Sequence, residues 1–143
     1  MAMKIVMDTD TIVAALRSPS GASAELLRRA SRGELTLAAS VSLFMEYESV
    51  CLRSEHMKAA GLDVHQVGVF LDGLARIAEP VEVHFLWRPQ LRDPADELVL
   101  EAAVNASAQA LLTFNLRHFA RAVERFHLNV VLPGPFLRRL KNE

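Results

Sequence analysis

Acidic side chains at the ends of predicted strands and helices are the residues of this chain best suited to chemistry. Four of the six aspartates form two close pairs, Asp8/Asp10 and Asp93/Asp96. Asp8 follows the apolar run 3–7, which is typical of a strand buried on both faces of a sheet. Carboxylates are costly to place there without a partner, and a divalent cation is a suitable partner. The two pairs therefore indicate a metal site.

Strands and helices are predicted to alternate along the chain, which favours a parallel sheet with helices on both faces. The predicted strands cover residues 3–7, 35–39, 77–83, 110–113 and 128–132. The predicted helices cover residues 11–16 and 22–31, a segment capped by Ser40 or Ser42 that runs to about residue 53, two pieces of 55–77 separated around Gly61-Leu62-Asp63, a segment that begins at Asp93, and 117–125. A loop is predicted through His84, Trp87 and Pro89, and a short tail after Pro133-Gly134-Pro135. We expect an α/β fold in one domain, residues 1–143.

The helix that begins at Asp93 is the most informative predicted element. Asp93 as N-cap, Pro94 at the first helical position and Asp96 in the first turn together form a strong start signal. Glu97 and Glu101 lie four residues apart on one polar strip, so we expect both to face solvent. Asp96 lies on the side that faces the core, so it either caps the helix or serves a site.

Several polar side chains are predicted to meet at one edge of the sheet. The carboxyl ends of parallel strands lie at the same edge, and Asp8 and Asn115 each follow a strand, while the second aspartate pair opens a helix there. An acid on the helix after the second strand can also reach this edge of the sheet, but a helical wheel does not choose between Glu46 and Glu48. Oxygen ligands suit Mg²⁺ or Mn²⁺, with two ions about 4 Å apart if both sites fill.

Most of these residues also have an ordinary structural explanation. Asp93 and Asp96 can be a helix-capping pair, Glu46 or Glu48 can lie on a solvated helix face, and Asn115 can be a turn residue. Asp8 is the hardest to explain in this way, because it ends a buried strand. The prediction of a site depends on all of these side chains reaching one edge.

Four segments resemble, in order, the motifs of the PIN-domain family. They cover residues 8–16, 43–50, 92–97 and 112–119. The first reads Asp-Thr-Asp where the family usually has Asp-Thr-Asn followed by an apolar pair. In the second motif the acid precedes an aromatic residue, here Tyr47, so the resemblance favours Glu46 over Glu48. Any one motif is weak, whereas the ordered set spans nearly the whole chain.

The resemblance implies a three-layer α/β/α sandwich with a mainly parallel central sheet of about five strands. It also implies a Mg²⁺-dependent or Mn²⁺-dependent ribonuclease that acts on RNA, similar to the VapC-like toxin components of bacterial toxin–antitoxin pairs. Such proteins are often homodimers or higher homo-oligomers, and a protein antitoxin neutralises them. Asp8, Glu46 and Asp96 match the acids that hold metal, and Asp93 completes the catalytic set. Thr113 fits the threonine that orients an acidic partner.

Two positions depart from the family pattern. Asp10 stands where asparagine is usual, which adds charge to the site. Asn115 stands where many relatives carry a fourth acid, so the resemblance does not supply a complete second metal site. Asp10, Thr113 and Asn115 are therefore expected to be supporting polar residues.

Two alternatives remain open from the sequence. Asp8 and Asp10 also match the Asp-x-Asp motif of haloacid-dehalogenase-type phosphohydrolases, with Asp8 as nucleophile and Asp10 as general acid. That chemistry needs a downstream lysine, and neither Lys58 nor Lys141 follows a suitable strand. The second alternative is a PIN fold without activity that only binds an antitoxin or RNA.

Composition narrows the class of protein. The chain has 143 residues, of which 51% are hydrophobic and 23% charged, as expected of a folded globular protein. Cys51 is its only cysteine, no apolar run is long enough to span a membrane, and the N-terminus lacks secretion features, so we expect a cytoplasmic protein. Two arginine sets could contact phosphate, although a solvated helix face is the default interpretation of each: 28, 29 and 32, and 117, 121 and 125. The five histidines are scattered and receive no role.

Overall fold

The computed structural model describes residues 2–84 and 91–141. Its strands are β1 Met3–Met7, β2 Leu35–Ala39, β3 Ala78–Pro80, β4 Ala110–Leu112 and β5 Val130–Val131. Its helices are α1 Thr9–Arg17, α2 Ala22–Ser31, α3 Val41–Cys51, α4 Ser54–Ala60, α5 Val64–Ile77, α6 Pro94–Ala106, α7 Ala120–Phe126 and α8 Pro133–Lys141, with a 3-10 helix at Leu116–Phe119. The alternation expected from the sequence is confirmed.

The five strands form one parallel sheet in the order β3-β2-β1-β4-β5. β1 lies at its centre, where Ile5 pairs with Leu37 of β2 on one side and with Ala110 of β4 on the other. Every crossover between neighbouring parallel strands contains helix, and the result is the three-layer α/β/α architecture that was expected. The chain order reverses direction at β1, so a crevice opens beyond its carboxyl end, which Asp8 follows.

Helix caps explain several of the boundaries. The Ser40 side chain accepts a hydrogen bond from the Leu43 N–H at 3.1 Å, so Ser40 rather than Ser42 is the N-cap of α3. Asp63 and Gln66 form a reciprocal capping box at the start of α5, as the predicted break at residues 61–63 requires. These caps satisfy backbone donors that have no partner within their own helices.

The core lies on both faces of β1 and β2, whose central side chains are completely buried. Among the described residues, Tyr47 of α3 is the largest fully buried side chain, and its hydroxyl donates a hydrogen bond to the Met7 carbonyl. This bond ties α3 to the last residue of β1. The site beyond β1 is therefore held between packed elements.

Three sequence-based expectations need correction. Glu97 and Glu101 were expected to face solvent, but each is only about 5% exposed, because α6 packs against β1, β2 and α3 and because Glu97 Oε1 accepts a hydrogen bond from the Leu91 N–H. The expected tail after Pro133 is wrong, since α8 occupies it and buries Phe136 and Leu137 against the core.

The strand expected at residues 77–83 is shorter, because only residues 78–80 pair with β2. Of the expected loop, Trp87 and Pro89 lie outside the described residues. In the part of the chain that is described, no helix is long and apolar enough to cross a membrane.

Candidate active site

Asp8 occupies the end of the central strand and caps the helix that follows. Its Oδ1 accepts a hydrogen bond from the Thr9 N–H at 2.8 Å, and its Oδ2 accepts one from the Thr113 hydroxyl at 2.6 Å. Its own N–H donates to the Leu112 carbonyl at 2.8 Å, so the backbone is fixed against β4. Asp8 is 6% exposed, and its carboxylate is held at the carboxyl edge of the sheet.

Burial raises the pKa of Asp8 above its ordinary value, and the nearby Asp93 charge raises it further. The hydrogen bonds from Thr113 and Thr9, together with His118, partly offset this increase. The net effect on the pKa is upward, so the hydrogen bonds and charges of the protein do not fully replace the hydration that the ionised Asp8 carboxylate loses on burial.

Thr113 connects β4 to this carboxylate. A hydroxyl has one proton, and the 2.6 Å distance to Asp8 rather than the 3.4 Å distance to Asp10 identifies where Thr113 donates it. The same oxygen accepts a hydrogen bond from the Asn115 N–H at 2.9 Å. Thr113 is fully buried, and it fixes both the Asp8 carboxylate and the start of the following loop.

Asp10 lies in the first turn of α1 and holds this loop from the other side. Its Oδ2 accepts hydrogen bonds from the Phe114 N–H at 3.0 Å and from Asn115 Nδ2 at 2.9 Å. Its Oδ1 is buried without a hydrogen-bond partner among the described residues. Burial, and then the Asp8 charge, raise the pKa of Asp10 to about 6. The structure thus brings Asp8, Asp10, Thr113 and Asn115 into one connected cluster.

Asp96 approaches the cluster from the first turn of α6. Asp93 caps this helix by accepting a hydrogen bond from the Ala95 N–H at 2.9 Å, as expected, and remains exposed. Asp96 is 7% exposed. Its pKa is raised by burial, then by the charges of Asp8 and Asp93. The expectation that Asp96 faces inward is confirmed, and the three carboxylates lie close enough to affect one another.

His118 is a site residue that the sequence reasoning missed. Its Nδ1 lies 3.0 Å from Asp96 Oδ2, and its side chain is about half exposed. The only available signal was its position inside the segment 112–119, three residues after Asn115. His118 contacts Asp96 because the 3-10 helix Leu116–Phe119 turns the chain back towards α6.

A cleft of about 640 Å³ opens beside Asp96. Acidic and basic side chains share its wall: Arg92, Asp93, Asp96, Arg117, His118 and Arg121. Arg117 and Arg121 form no ion pair with any described residue, whereas Arg28, Arg29 and Arg32 of the other set are paired with Glu25 or Glu34. Arg125 lies over the Phe126 ring, 5.6 Å from its centroid, and does not line the cleft.

Glu46 lies near Asp10 and does not line the cleft beside Asp96. It is half-buried and lines a second pocket of about 530 Å³ together with Thr9 and Asp10, whereas Glu48 is exposed. Glu46 is therefore the acid of α3 that faces α1. Its contribution to a metal site together with Asp8 and Asp96 stays a prediction.

The donor set fits a hard cation in part. Asp8 and Asp96 are buried carboxylates with raised pKa values, so a cation between them would stabilise their ionised forms. Mg²⁺ is commonly held by one or two carboxylates and keeps several waters. Within residues 2–84 and 91–141, however, no three His, Cys, Asp or Glu side chains are grouped closely enough to hold one ion. The geometry fits a pair of carboxylates with water better than a closed cage.

Comparison with known proteins gives one family match and a structural match. The family model described as "PIN domain" matches residues 4–117. A chain of the crystal structure of VapBC2 from Rickettsia felis, bound to a DNA fragment from their promoter, is similar in fold with a TM-score of 0.60 and 17% sequence identity. The match covers 90% of this chain and 97% of that one. No curated protein sequence matches the chain.

Proposed function

Because the chain belongs to the PIN-domain family, we propose that it is a Mg²⁺-dependent or Mn²⁺-dependent endoribonuclease. The observation that carries the proposal is the pair Asp8 and Asp96, two buried carboxylates at the carboxyl edge of the sheet whose pKa values are both raised. Arginines without an ion-pair partner in the described chain line the adjoining cleft. Neighbouring acids and arginines suit the metal-assisted hydrolysis of a phosphodiester, in which the acids would hold the ion and the arginines would bind the phosphate.

Asp8 and Asp96 are the residues that would hold the ion, with Asp93 nearby. Glu46, the further ligand that the resemblance implies, lines a separate pocket with Asp10 and is not grouped with Asp8 and Asp96 closely enough for the three to hold one ion. When bound, the ion supplies Lewis-acid stabilisation of the negative charge that develops on the phosphodiester.

Thr113 keeps the Asp8 carboxylate in place through its 2.6 Å hydrogen bond. His118 does the same for Asp96 from the cleft side. Outer hydrogen bonds of this kind orient the residues that hold a metal.

The protein's own cations bind the substrate. Arg117 and Arg121 lie on the same wall of the cleft as Asp96, where their guanidinium groups can bind RNA phosphates. Asp10 and Asn115 hold the loop that leads to Arg117. We propose that this loop sets the distance between the bound phosphates and the acids.

The biological setting follows from the structural relative. VapBC2 from Rickettsia felis is bound to a DNA fragment from their promoter, and by analogy with it and with the VapC-like proteins that the sequence resembles, we propose that this chain is the toxin of a toxin–antitoxin pair. The chain would then bind a protein antitoxin, form a homodimer or a higher homo-oligomer, and act in the cytoplasm. Binding without catalysis is the competing possibility.

The phosphohydrolase alternative is not favoured by the geometry. It requires Asp10 to act as a general acid on a substrate, but Asp10 Oδ2 already accepts hydrogen bonds from Phe114 and Asn115, and Asp10 Oδ1 is buried, so neither oxygen is open to a substrate. The family match likewise supports the nuclease.

A cleavage assay tests the proposal. Purified protein is incubated with single-stranded RNA, the same sequence as DNA, and p-nitrophenyl phosphate, each with Mn²⁺, Mg²⁺ or EDTA. We expect metal-dependent cuts within the RNA and no release of nitrophenol. Nitrophenol release without RNA cleavage would support the phosphohydrolase instead, and RNA binding without cleavage in any metal would support the binding module.

A further inference from the structure

Basic side chains are concentrated on one surface formed by two helices. Residues 22–34, which contain α2, and residues 133–141 of α8 carry six of the 16 basic residues of the chain but only two of its 17 acidic residues. We call this the α2/α8 surface, and its formal charge is +4 on a chain whose net charge is −1. A local excess of this kind attracts polyanions even though the protein as a whole is slightly acidic.

The three arginines of the α2 part are only partly neutralised. Arg28, Arg29 and Arg32 share the carboxylate of Glu25, and Arg32 also pairs with Glu34. The Arg28 and Arg32 side chains remain about half exposed. A guanidinium group has five N–H donors, and exposed ion pairs are weak in water, so these side chains can still bind an external anion.

The α8 part contains no acidic residue that could offset its charge. Phe136 and Leu137 are buried against the core, which fixes the inner side of the helix. The other side carries Arg138, Arg139 and Lys141, which are exposed and have no ion-pair partner among the described residues. These three cations are therefore available to a partner molecule.

The cations of the two helices meet in one groove. α8 packs against α2, and a groove of about 400 Å³ between them is lined by Arg28, Arg138 and Lys141 together with Glu25. A methyl group at Gly134 would lie 3.6 Å from Arg138 Nη1, so this guanidinium lies over the first turn of α8. The ten residues of α2 extend over about 15 Å, so the surface is long enough for several charges of a polymer.

The α2/α8 surface lies on the other side of the sheet from the cleft beside Asp96. The chain passes from β1 through α2 to β2 in one direction, and from β3 through α6 to β4 in the opposite direction. Because crossovers between parallel strands are right-handed, these two connections place α2 and α6 on opposite faces of the sheet. The start of α6 lines the cleft, whereas α8 packs against α2. The cleft therefore does not account for the charge on the α2/α8 surface.

We propose that the α2/α8 surface binds the phosphate backbone of a nucleic acid strand outside the cleft. Guanidinium groups match the geometry of phosphate oxygens, and phosphate contacts do not depend on base sequence. Every nucleotide carries one charge, so any strand presents several phosphates to a surface of this length. The biological use rests on the proposed ribonuclease function, under which the strand is an RNA that is cut in the cleft.

An affinity measurement in EDTA tests the proposal without catalysis. Fluorescence anisotropy gives the Kd of a labelled RNA of about 20 nucleotides, and of DNA of the same sequence, over a range of salt concentrations. We expect the triple variant Arg138→Gln, Arg139→Gln, Lys141→Gln to raise both Kd values by at least about 10-fold, and to reduce the slope of log Kd against log salt by up to about 2. A change for RNA but not for DNA would show contacts beyond phosphate and contradict the proposal.

Two further variants separate local charge from net charge and from folding. The control Arg53→Gln, Lys58→Gln, Arg76→Gln removes three exposed cations outside the α2/α8 surface and should bind RNA as the native protein does. Arg138→Lys with Arg139→Lys keeps the charge and should bind more tightly than the triple variant. Equal Kd values for the native protein and the triple variant, or equal losses in the triple variant and the control, would overturn the proposal.

A competition experiment tests the class of partner. Unlabelled RNA should displace the labelled RNA from the native protein at lower concentration than polyglutamate of the same total charge. If polyglutamate competed equally well, the α2/α8 surface would be a site for acidic polypeptides and the proposal would be wrong.

The two proposals fail separately. A native protein that binds RNA through the α2/α8 surface but cleaves none in Mn²⁺ would refute the proposed ribonuclease alone. RNA cleavage with native Kd and KM values in the triple variant would refute the role of the α2/α8 surface alone.

Discussion

The Thr113 hydroxyl donates a 2.6 Å hydrogen bond to the Asp8 carboxylate across 105 positions of sequence. Asp8 follows β1 and Thr113 follows β4, and the two strands pair in parallel with Met7 opposite Leu112. The sheet register therefore places a donor against the acid that we propose holds the metal. Residues far apart in the chain form one site because neighbouring strands end together.

Removing this donor should weaken metal binding. Thr113→Val keeps the shape of the side chain but leaves Asp8 Oδ2 without its hydroxyl partner, and we expect a 10- to 100-fold loss of activity or metal affinity. Calorimetric titration with Mn²⁺ measures the metal affinity, and RNA cleavage rates measure the activity. Thr36→Val on β2, away from the acids, is the matched control and should bind Mn²⁺ as the native protein does.

The cleft arginines should contribute to substrate binding through charge. Arg121→Gln removes a cation from the cleft, so we expect a higher KM for RNA, a nearly unchanged kcat, and a Kd that depends less steeply on salt. Arg125→Gln is the control on the same helix, because Arg125 packs over Phe126. If both variants behaved alike, Arg121 would have no particular role in the cleft.

The stability of the metal-free protein should fall as the pH rises. The pKa of Asp10 is about 6 in the folded protein, against an ordinary value of 3.8, so the folded state binds more protons than the unfolded state between these values. The free energy of unfolding therefore decreases from about pH 4 to pH 6 and remains low above it. Asp8 and Asp96 are shifted in the same direction.

Asp10→Asn tests the contribution of that one carboxylate. At pH 7.5 in EDTA we expect its Tm to exceed that of the native protein by about 2–4 °C, which corresponds to roughly 1 kcal/mol. At pH 4 the two Tm values should converge, because the native carboxyl is then largely protonated. A Tm difference that stays constant from pH 4 to pH 7.5 would rule out the charge of Asp10 as its cause.

The sequence predicts the parts of the site that local patterns determine. Short-range sequence signals predict the buried strand before Asp8, the helix start at Asp93-Pro94 and the alternation of strands with helices. The structure confirms all three. Burial of Glu97 and Glu101 has no such signal, because it depends on which elements α6 contacts. The contact between His118 and Asp96, 22 residues apart, likewise depends on tertiary packing.

Asp10 illustrates the same limit. Its spacing from Asp8 shows only that two acids lie near one strand end and fits two families of enzyme. Its hydrogen bonds to Phe114 and Asn115 depend on β1 and β4 being neighbours, which the local sequence does not specify. With these bonds known, Asp10 is a residue that holds the loop.

The most direct test of the central claim is the rate of RNA cleavage in Mn²⁺ by the native protein, Asp8→Asn and Asp96→Asn. Burial raises the pKa of both carboxyl groups, so their ionised forms destabilise the fold and a neutral asparagine should leave each variant folded. Circular dichroism checks that the variants are folded. Glu48→Gln, an exposed acid on α3, is the control. We predict that each aspartate variant loses at least about 100-fold in rate while Glu48→Gln keeps the native rate. Equal rates for all four proteins would contradict the assignment of Asp8 and Asp96 to the active site.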